Sequence, residues 1–238
     1  MYSFLDAVRY SEVDKTGKLS IPAMVNYMQD CSSMQSDSLG LGFQHLKETH
    51  KTWVLTSWQI DFFQEVNLGE EIEVGTWAYD AKGIYGYRNF LIRTKEGTPI
   101  AKTNSIWVLL NTETGVPVRV TPEDVLPYGT EPKLEMEYQD RRIKISGDGK
   151  AEQPFSIRKY HIDTNGHVNN CWYIQFAMEY LPDMEEGLGK IKRLRAEYKT
   201  SAVYGDVIYP MVYQEEGKIT VSLNDVDGKV YSVVQLEY

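Results

Sequence analysis

The sequence predicts an α+β fold built as two tandem copies of one unit, each a long helix followed by an antiparallel sheet. Three observations carry this. An ordered internal repeat relates the two halves of the chain. Each copy of the repeated motif opens a helical hydrophobic pattern. The strand-like segments after each helix are joined by turn chemistry suited to antiparallel neighbours.

The repeat is visible in Val13-Asp14-Lys15-Thr16-Gly17-Lys18-Leu19-Ser20, which aligns with Ile162-Asp163-Thr164-Asn165-Gly166-His167-Val168-Asn169, 149 positions further on. Ser20 and Asn169 fall on equivalent positions, and both are good helix N-caps. The first run, Ile21 to Ser38, has Met24, Tyr27, Met28 and Cys31 on one face. The second, Trp172 to Leu181, has Trp172, Tyr173, Phe176, Ala177 and Tyr180 at i, i+3, i+4 spacing, with Pro182 as its stop. Thr52 to Phe63 and Ile191 to Tyr198 read as the first strand of each sheet. Each leads through a Gly-acid turn, Gly69-Glu70 or Gly205-Asp206, into the next strand, at Ile72 or Val207. Tyr85–Thr94 and Ile100–Asn111 form a hairpin pair in the first half, as do Lys218–Leu223 and Lys229–Leu236 in the second. The expected organisation is a first unit at 1–128, a charged connecting segment at 129–150 closing with Ser146-Gly147-Asp148-Gly149, and a second unit at 151–238.

Composition narrows the class. With 238 residues the chain can bury a full core, and 42% hydrophobic content fits a globular protein. No apolar run reaches the length of a membrane span and no basic-then-apolar segment opens the chain, so a cytoplasmic protein without stable membrane insertion is expected. A net charge of −9 argues against general nucleic-acid binding. Cys31 and Cys171 make neither a disulfide framework nor a metal-ligand spacing, and both read as buried apolar residues.

The candidate chemistry lies in Asp163, Asn165 and His167. They present a carboxylate, an amide and an imidazole at alternate positions beside a helix N-terminus. That set can orient or activate a nucleophile, move a proton and stabilise an oxyanion, as acyl transfer or hydrolysis requires. The same residues could also serve only as a turn and a cap, since Asp, Asn and Gly favour turns. His161, His45 and His50 read as structural or solvated residues, and the Met24/Met28/Met34 set as core packing.

Asp163-Thr164-Asn165-Gly166-His167-Val168-Asn169-Asn170, together with Trp53-Val54-Leu55-Thr56 and Ser105-Ile106-Trp107-Val108-Leu109-Leu110-Asn111 in the first half, resembles the acyl-ACP thioesterases, the family that includes the plant enzymes terminating fatty-acid synthesis. The resemblance implies a double hotdog fold, a central helix wrapped by an antiparallel sheet in each half. It implies that Asp163 attacks the thioester or orients the attacking water, that Asn165 holds the carbonyl or the water, and that His167 is the general acid/base. No metal or redox cofactor is implied.

One departure matters. Where the plant family carries a Glu-Cys pair after a Glu-Tyr, this chain has Ser201-Ala202 after Glu197-Tyr198. No cysteine nucleophile is therefore available there, and Ser201 could at most bind a water. In the first half Asp14 remains, but Thr16 and Lys18 replace the amide and imidazole, so that half is expected to be inactive and to shape the acyl pocket. Met24, Tyr27, Met28 and Trp53 are its expected lining. The basic residues Lys190, Lys192, Arg193, Arg195 and Lys199 stand out in an acidic chain. They read either as a solvated strand face or as a docking site for an acidic acyl carrier protein bearing a phosphopantetheine-linked acyl chain. An acyl-CoA thioesterase and a non-catalytic acyl-binding hotdog are the alternatives, and the sequence leaves monomer and homodimer open.

Overall fold

The computed structural model describes residues 1–181 and 191–238. The chain divides into two compact units. Unit 1 comprises Met1–Thr56 and Ile60–Tyr138, and unit 2 comprises Ser57–Gln59 and Gln139–Tyr238. Residues 129–138, expected to be part of a connecting segment, thus group with the first unit.

Unit 1 contains β1 (Tyr2–Ala7), α1 (Ile21–Ser38), α2 (Phe43–Thr49), β2 (Lys51–Phe62), β3 (Glu71–Lys82), β4 (Tyr85–Thr94), β5 (Pro99–Asn111) and the short α3 (Pro122–Val125). Its strands run in the order β1-β3-β4-β5-β2, and β1, β3, β4 and β5 pair antiparallel in turn. Helix α1 starts where the sequence places it. The Ser20 hydroxyl accepts the Ala23 N–H at 3.3 Å, and Pro22 sits in the first turn, where its missing N–H costs nothing. It ends before Gly40, whose φ of +72° is a left-handed conformation that favours glycine. Its apolar face, Met24, Val25, Met28 and Cys31, is buried with Ile72, Val74, Phe90 and Ile92 of the sheet. Each such side chain contributes about 1.5–3 kcal/mol relative to exposure.

Unit 2 contains β6 (Lys150–Ala151), β7 (Phe155–Ser156), α4 (Asn170–Met178), β8 (Arg193–Tyr198), β9 (Val207–Glu215), β10 (Lys218–Asn224) and β11 (Val230–Glu237). The order is β8-β11-β10-β9-β6, with β7 also pairing β9, all antiparallel. Helix α4 buries Tyr173, Ile174, Phe176 and Ala177. It is shorter than its periodicity predicts. After Met178 the Tyr180 and Leu181 amides bond to the carbonyls three residues back, Ala177 at 3.2 Å and Met178 at 3.1 Å, the tightened geometry of a helix end. Pro182, expected as its stop, lies outside the described residues. Strands β1, β6 and β7 and helix α2 were not legible as elements. β1 is an edge strand that alternates between half-buried and exposed, without an apolar run.

Among the described residues no helix is long and apolar enough to cross a membrane.

Candidate active site

The Asp163–Asn169 motif is a tight hairpin turn set in front of α4. Ile162 and Val168 form a β-bridge. Asp163 N–H donates to His167 O at 2.8 Å and Gly166 N–H to Asp163 O at 3.1 Å. Gly166 has φ +78°, which places a glycine at the one position where the turn needs it. One carboxylate oxygen, Asp163 Oδ1, accepts the N–H groups of Asn165 at 2.8 Å and His167 at 3.3 Å. The other carboxylate oxygen, the Asn165 amide and the His167 imidazole make no side-chain hydrogen bond among the described residues, and Asn165 and His167 are exposed. The turn therefore fixes the carboxylate by one oxygen and leaves three functional groups open. Asn169 accepts the Cys171 N–H at 2.9 Å, so that helix amide is already satisfied.

The loop carrying Ser201 and Ala202 is fastened beside this turn. Val168 N–H donates to Ala202 O at 2.9 Å, and Ala202 N–H donates to the Tyr173 hydroxyl of α4 at 2.8 Å. Burial of that hydroxyl pushes its pKa up to about 12, which keeps it neutral. Ser201 is exposed at the edge of the site.

The first repeat has the same scaffold and different chemistry. Asp14 Oδ1 accepts from the Thr16 amide at 2.8 Å, the Thr16 hydroxyl at 2.6 Å and the Lys18 amide at 3.2 Å. Burial raises the Asp14 carboxyl, but these hydrogen bonds outweigh it and hold the pKa below the ordinary value. Lys18, at the position of His167, donates to Asn67 Oδ1 at 2.7 Å and lies 3.6 Å from a carboxylate oxygen of Glu65. Leu19 N–H donates to Val66 O at 2.8 Å, just as Val168 does to Ala202 O. Glu65 is therefore the counterpart of Ser201, and the first half shows that this position reaches the residue equivalent to His167. Thr16, Lys18 and Glu65 are each engaged by a neighbour, while the second oxygen of Asp14, like that of Asp163, makes no hydrogen bond among the described residues.

His161 is structural. It is buried, its Nδ1 accepts the Arg158 N–H at 3.0 Å, and its ring packs among Tyr160, Trp172 and Phe176. Burial, and secondarily the Arg158 charge, lower its pKa. The folded state thus favours the neutral ring, while the unfolded chain takes up a proton below about pH 6.5. Stability from this residue is present above about pH 6.5 and is lost as pH falls from there through the lower folded value. His161→Gln, which keeps an acceptor for Arg158, is expected to flatten the fall in Tm between about pH 6.5 and 5. Scanning calorimetry across that range, with equal slopes for parent and variant, would remove this assignment.

Cys171 is buried and its thiol is pushed up to about 11 by burial; Cys31 is pushed to about 12 in the same way. Neither is a nucleophile at neutral pH.

The expected substrate-lining residues divide. Met24 and Met28 are buried in the core of unit 1, Tyr27 is buried with its hydroxyl donated to Glu12 at 2.7 Å, and Met34 is exposed rather than packed. Trp53, by contrast, lines an open pocket of unit 1 together with Ser32, Tyr87, Arg88, Trp107 and Tyr128. A Cβ on Gly86 would stand 2.9 Å from the Trp53 ring, so the glycine lets the indole lie against β4. The pocket thus lies beside the strand that carries Trp53 and meets α1 at Ser32 and Ser36, one side of the helix, while Met24 and Met28 pack in the core.

The basic segment is not a continuous free patch. Along β8, Leu194 and Ala196 point into the core. Arg193 lies 3.6 Å from Glu237. Arg195 donates to Gln235 Oε1 at 3.1 Å and to the carbonyls of Asp140 and Arg142, and burial lowers its pKa. Lys199 lies 3.7 Å from Glu197. Lys192 and Lys199 are exposed but stand seven residues apart, roughly 23 Å along an extended chain. Lys190 lies outside the described residues.

Two helix-on-sheet units in tandem, the second bearing an open Asp-Asn-His turn, define a double hotdog protein. The same fold is seen in an acyl-ACP thioesterase of Bacteroides thetaiotaomicron (TM-score 0.90, 22% identity, 99% of this chain and 96% of that one) and in the 12:0-ACP thioesterase of Umbellularia californica (TM-score 0.86, 21% identity, 99% and 96%). Residues 4–128 match the acyl-ACP thioesterase N-terminal domain and residues 146–238 the C-terminal domain, and the chain belongs to the acyl-ACP thioesterase family. Among relatives, it is 25% identical to the chloroplastic acyl-[acyl-carrier-protein] hydrolase FATB3 of Cuphea viscosissima over 84% of this chain and 53% of that one. It is 24% identical to the chloroplastic oleoyl-acyl carrier protein thioesterase 2 of Arabidopsis thaliana over 94% and 66%. The chain thus spans between about half and two thirds of the length of these relatives.

Proposed function

We propose that the protein hydrolyses the thioester of a fatty acyl group carried on an acyl carrier protein, releasing the free fatty acid. The observation that supports this reading best is the contrast between the two repeats. Each copy keeps one carboxylate oxygen open, but Thr16, Lys18 and Glu65 are tied to neighbours in the first, while Asn165 and His167 stay open in the second. In the proposed reaction the free oxygen of Asp163 orients a water. The water oxygen adds to the thioester carbonyl carbon as His167 takes its proton, and Asn165 donates a hydrogen bond to the carbonyl oxygen as charge develops there. The C–S bond then breaks, and the proton passes from His167 to the departing sulfur. The carboxylic acid and the carrier thiol are the products, with no covalent change to the enzyme.

An acidic carrier would meet Lys192 and Lys199 as the exposed cations flanking β8, Lys199 already beside Glu197, and would meet Arg193 and Arg195 only at the cost of their present partners. The test is thiol release from acyl-carrier-protein and acyl-CoA substrates over a series of chain lengths. The expected result is hydrolysis with a kcat/KM at least about tenfold higher for the carrier-protein substrate, since protein contacts remote from the thioester add binding energy. Equal values for both carriers would make this an acyl-CoA thioesterase. Binding without hydrolysis would make it an acyl-binding hotdog.

A further inference from the structure

Arg88 is buried in unit 1, 9% exposed, at the wall of the pocket that Trp53, Tyr87, Trp107 and Tyr128 line. That pocket holds about 490 Å³ counting its open mouth. Taking a guanidinium out of water is expensive unless a counter-charge or a full set of acceptors receives it. Arg88 has neither among the described residues. Its Nη1 donates to Gln35 Oε1 and, at 3.1 Å, to Thr76 Oγ1, both neutral acceptors. Its guanidinium carbon lies 5.1 Å from the centre of the Tyr128 ring, a favourable but weaker contact. The Nε and Nη2 groups make no hydrogen bond to the protein among the described residues. The one acid on the pocket wall, Asp80, is exposed and turns Oδ1 to the Ala81 N–H at 2.8 Å.

The edge left over is informative. Nε and Nη2 are two parallel donors, the pair that matches the two oxygens of a carboxylate. Around them the pocket offers aromatic surface, which suits a hydrocarbon chain. If Arg88 served only to tie α1 to β3, a neutral side chain could bridge Gln35 and Thr76 without burying a charge.

We propose that this pocket binds a hydrocarbon chain carrying a carboxylate, held by the Nε–Nη2 edge of Arg88. The carboxylate has two possible sources. It is the head of a free fatty acid, the product of the proposed reaction, or the far end of an acyl chain that bears a second carboxylate. The first source and any kinetic consequence rest on the thioesterase reading; the binding itself does not.

The binding test uses the intrinsic tryptophan fluorescence of the protein, with Trp53 and Trp107 in the pocket as reporters, titrated with octanoate and with 1-octanol. Octanoate is expected to bind at least about tenfold more tightly, about 1.4 kcal/mol, the scale of one charge-assisted hydrogen bond. Arg88→Met should abolish that preference while leaving 1-octanol binding in place, and Arg88→Lys should keep part of it. Equal affinity for the two probes in the parent overturns the proposal, and this comparison needs no variant to fold. So does a preference that survives Arg88→Met.

The source is then read from kinetics with CoA thioesters of octanoate and of octanedioic acid. A lower KM for the dicarboxylic thioester, lost in Arg88→Met, assigns the site to substrate. Inhibition by octanoate that is relieved in Arg88→Met assigns it to product. If the parent hydrolyses no thioester, the functional reading fails while the octanoate preference still decides the site.

Discussion

Asp163→Asn and His167→Ala are each expected to lower kcat for thioester hydrolysis by roughly a hundredfold or more, the range for a lost general acid/base or a misplaced nucleophile. Folding should survive both. His167 has an exposed side chain with no hydrogen bond to lose among the described residues, and an asparagine at 163 keeps the Oδ1 that accepts the Asn165 and His167 amides. Circular dichroism and Tm would therefore match the parent within experimental error. Two controls sharpen the result. Cys171→Ser alters a buried thiol already pushed up to about 11, and most activity should remain. Asp14→Asn alters the corresponding carboxylate of the first repeat and should leave kcat unchanged, because that copy has its other groups tied to Thr16, Lys18 and Glu65. Near-parental turnover in both second-half variants, or a matching loss in Asp14→Asn, would displace the chemistry from this turn.

The sequence made this turn legible because its signals are local. Asp163, Gly166 and Asn169 act on backbone groups within four residues, and local turn and cap chemistry is what short motifs record. The duplication was legible for the same reason, and it carries structural weight: the Leu19–Val66 and Val168–Ala202 hydrogen bonds repeat with their surroundings. The pocket was legible only in part. Trp53 was singled out, but Arg88 was passed over within Tyr85–Thr94. Its meaning depends on Gln35, 53 positions away, and on Tyr128. A buried cation on a strand looks in sequence like any outward-facing arginine. The partners of the basic residues at 192–199 were likewise beyond local sequence. The charges are adjacent in sequence, but strand alternation and pairing with β11 bring Gln235 and Glu237 opposite Arg195 and Arg193.

Asn89 is expected to be the most costly polar residue of unit 1 to replace. It is fully buried in β4. Its Nδ2 donates to Thr103 O at 3.0 Å, and its Oδ1 accepts the Leu134 N–H at 3.0 Å and lies 3.1 Å from the Tyr138 hydroxyl. Two further bonds, Trp77 Nε1 to Pro132 O at 2.9 Å and Glu131 N–H to Ala78 O at 3.1 Å, lay the same 130–138 segment on the sheet. Asn89 is thus the buried centre of that attachment. Asn89→Leu keeps the shape and removes every one of its side-chain hydrogen bonds, stranding at least the Leu134 N–H and the Thr103 carbonyl away from water. At about 1–3 kcal/mol for each unsatisfied group, the loss is about 3–5 kcal/mol, a large part of the whole stability of a typical domain. The corresponding fall in Tm is on the order of 10 °C for a chain of this size. Asn89→Asp keeps the acceptor for Leu134 but buries a carboxylate against the Thr103 carbonyl, so its Tm should also fall well below the parent. The local reading can be separated from general damage by limited proteolysis: cleavage within 130–138 should accelerate before cleavage elsewhere, because the remaining Trp77 and Ala78 bonds no longer have a buried anchor beside them. A Tm within about 2 °C of the parent for Asn89→Leu, which corresponds to under about 1 kcal/mol, would mean that water or a shifted Tyr138 replaces the lost partners and that the segment is held by its neighbours instead.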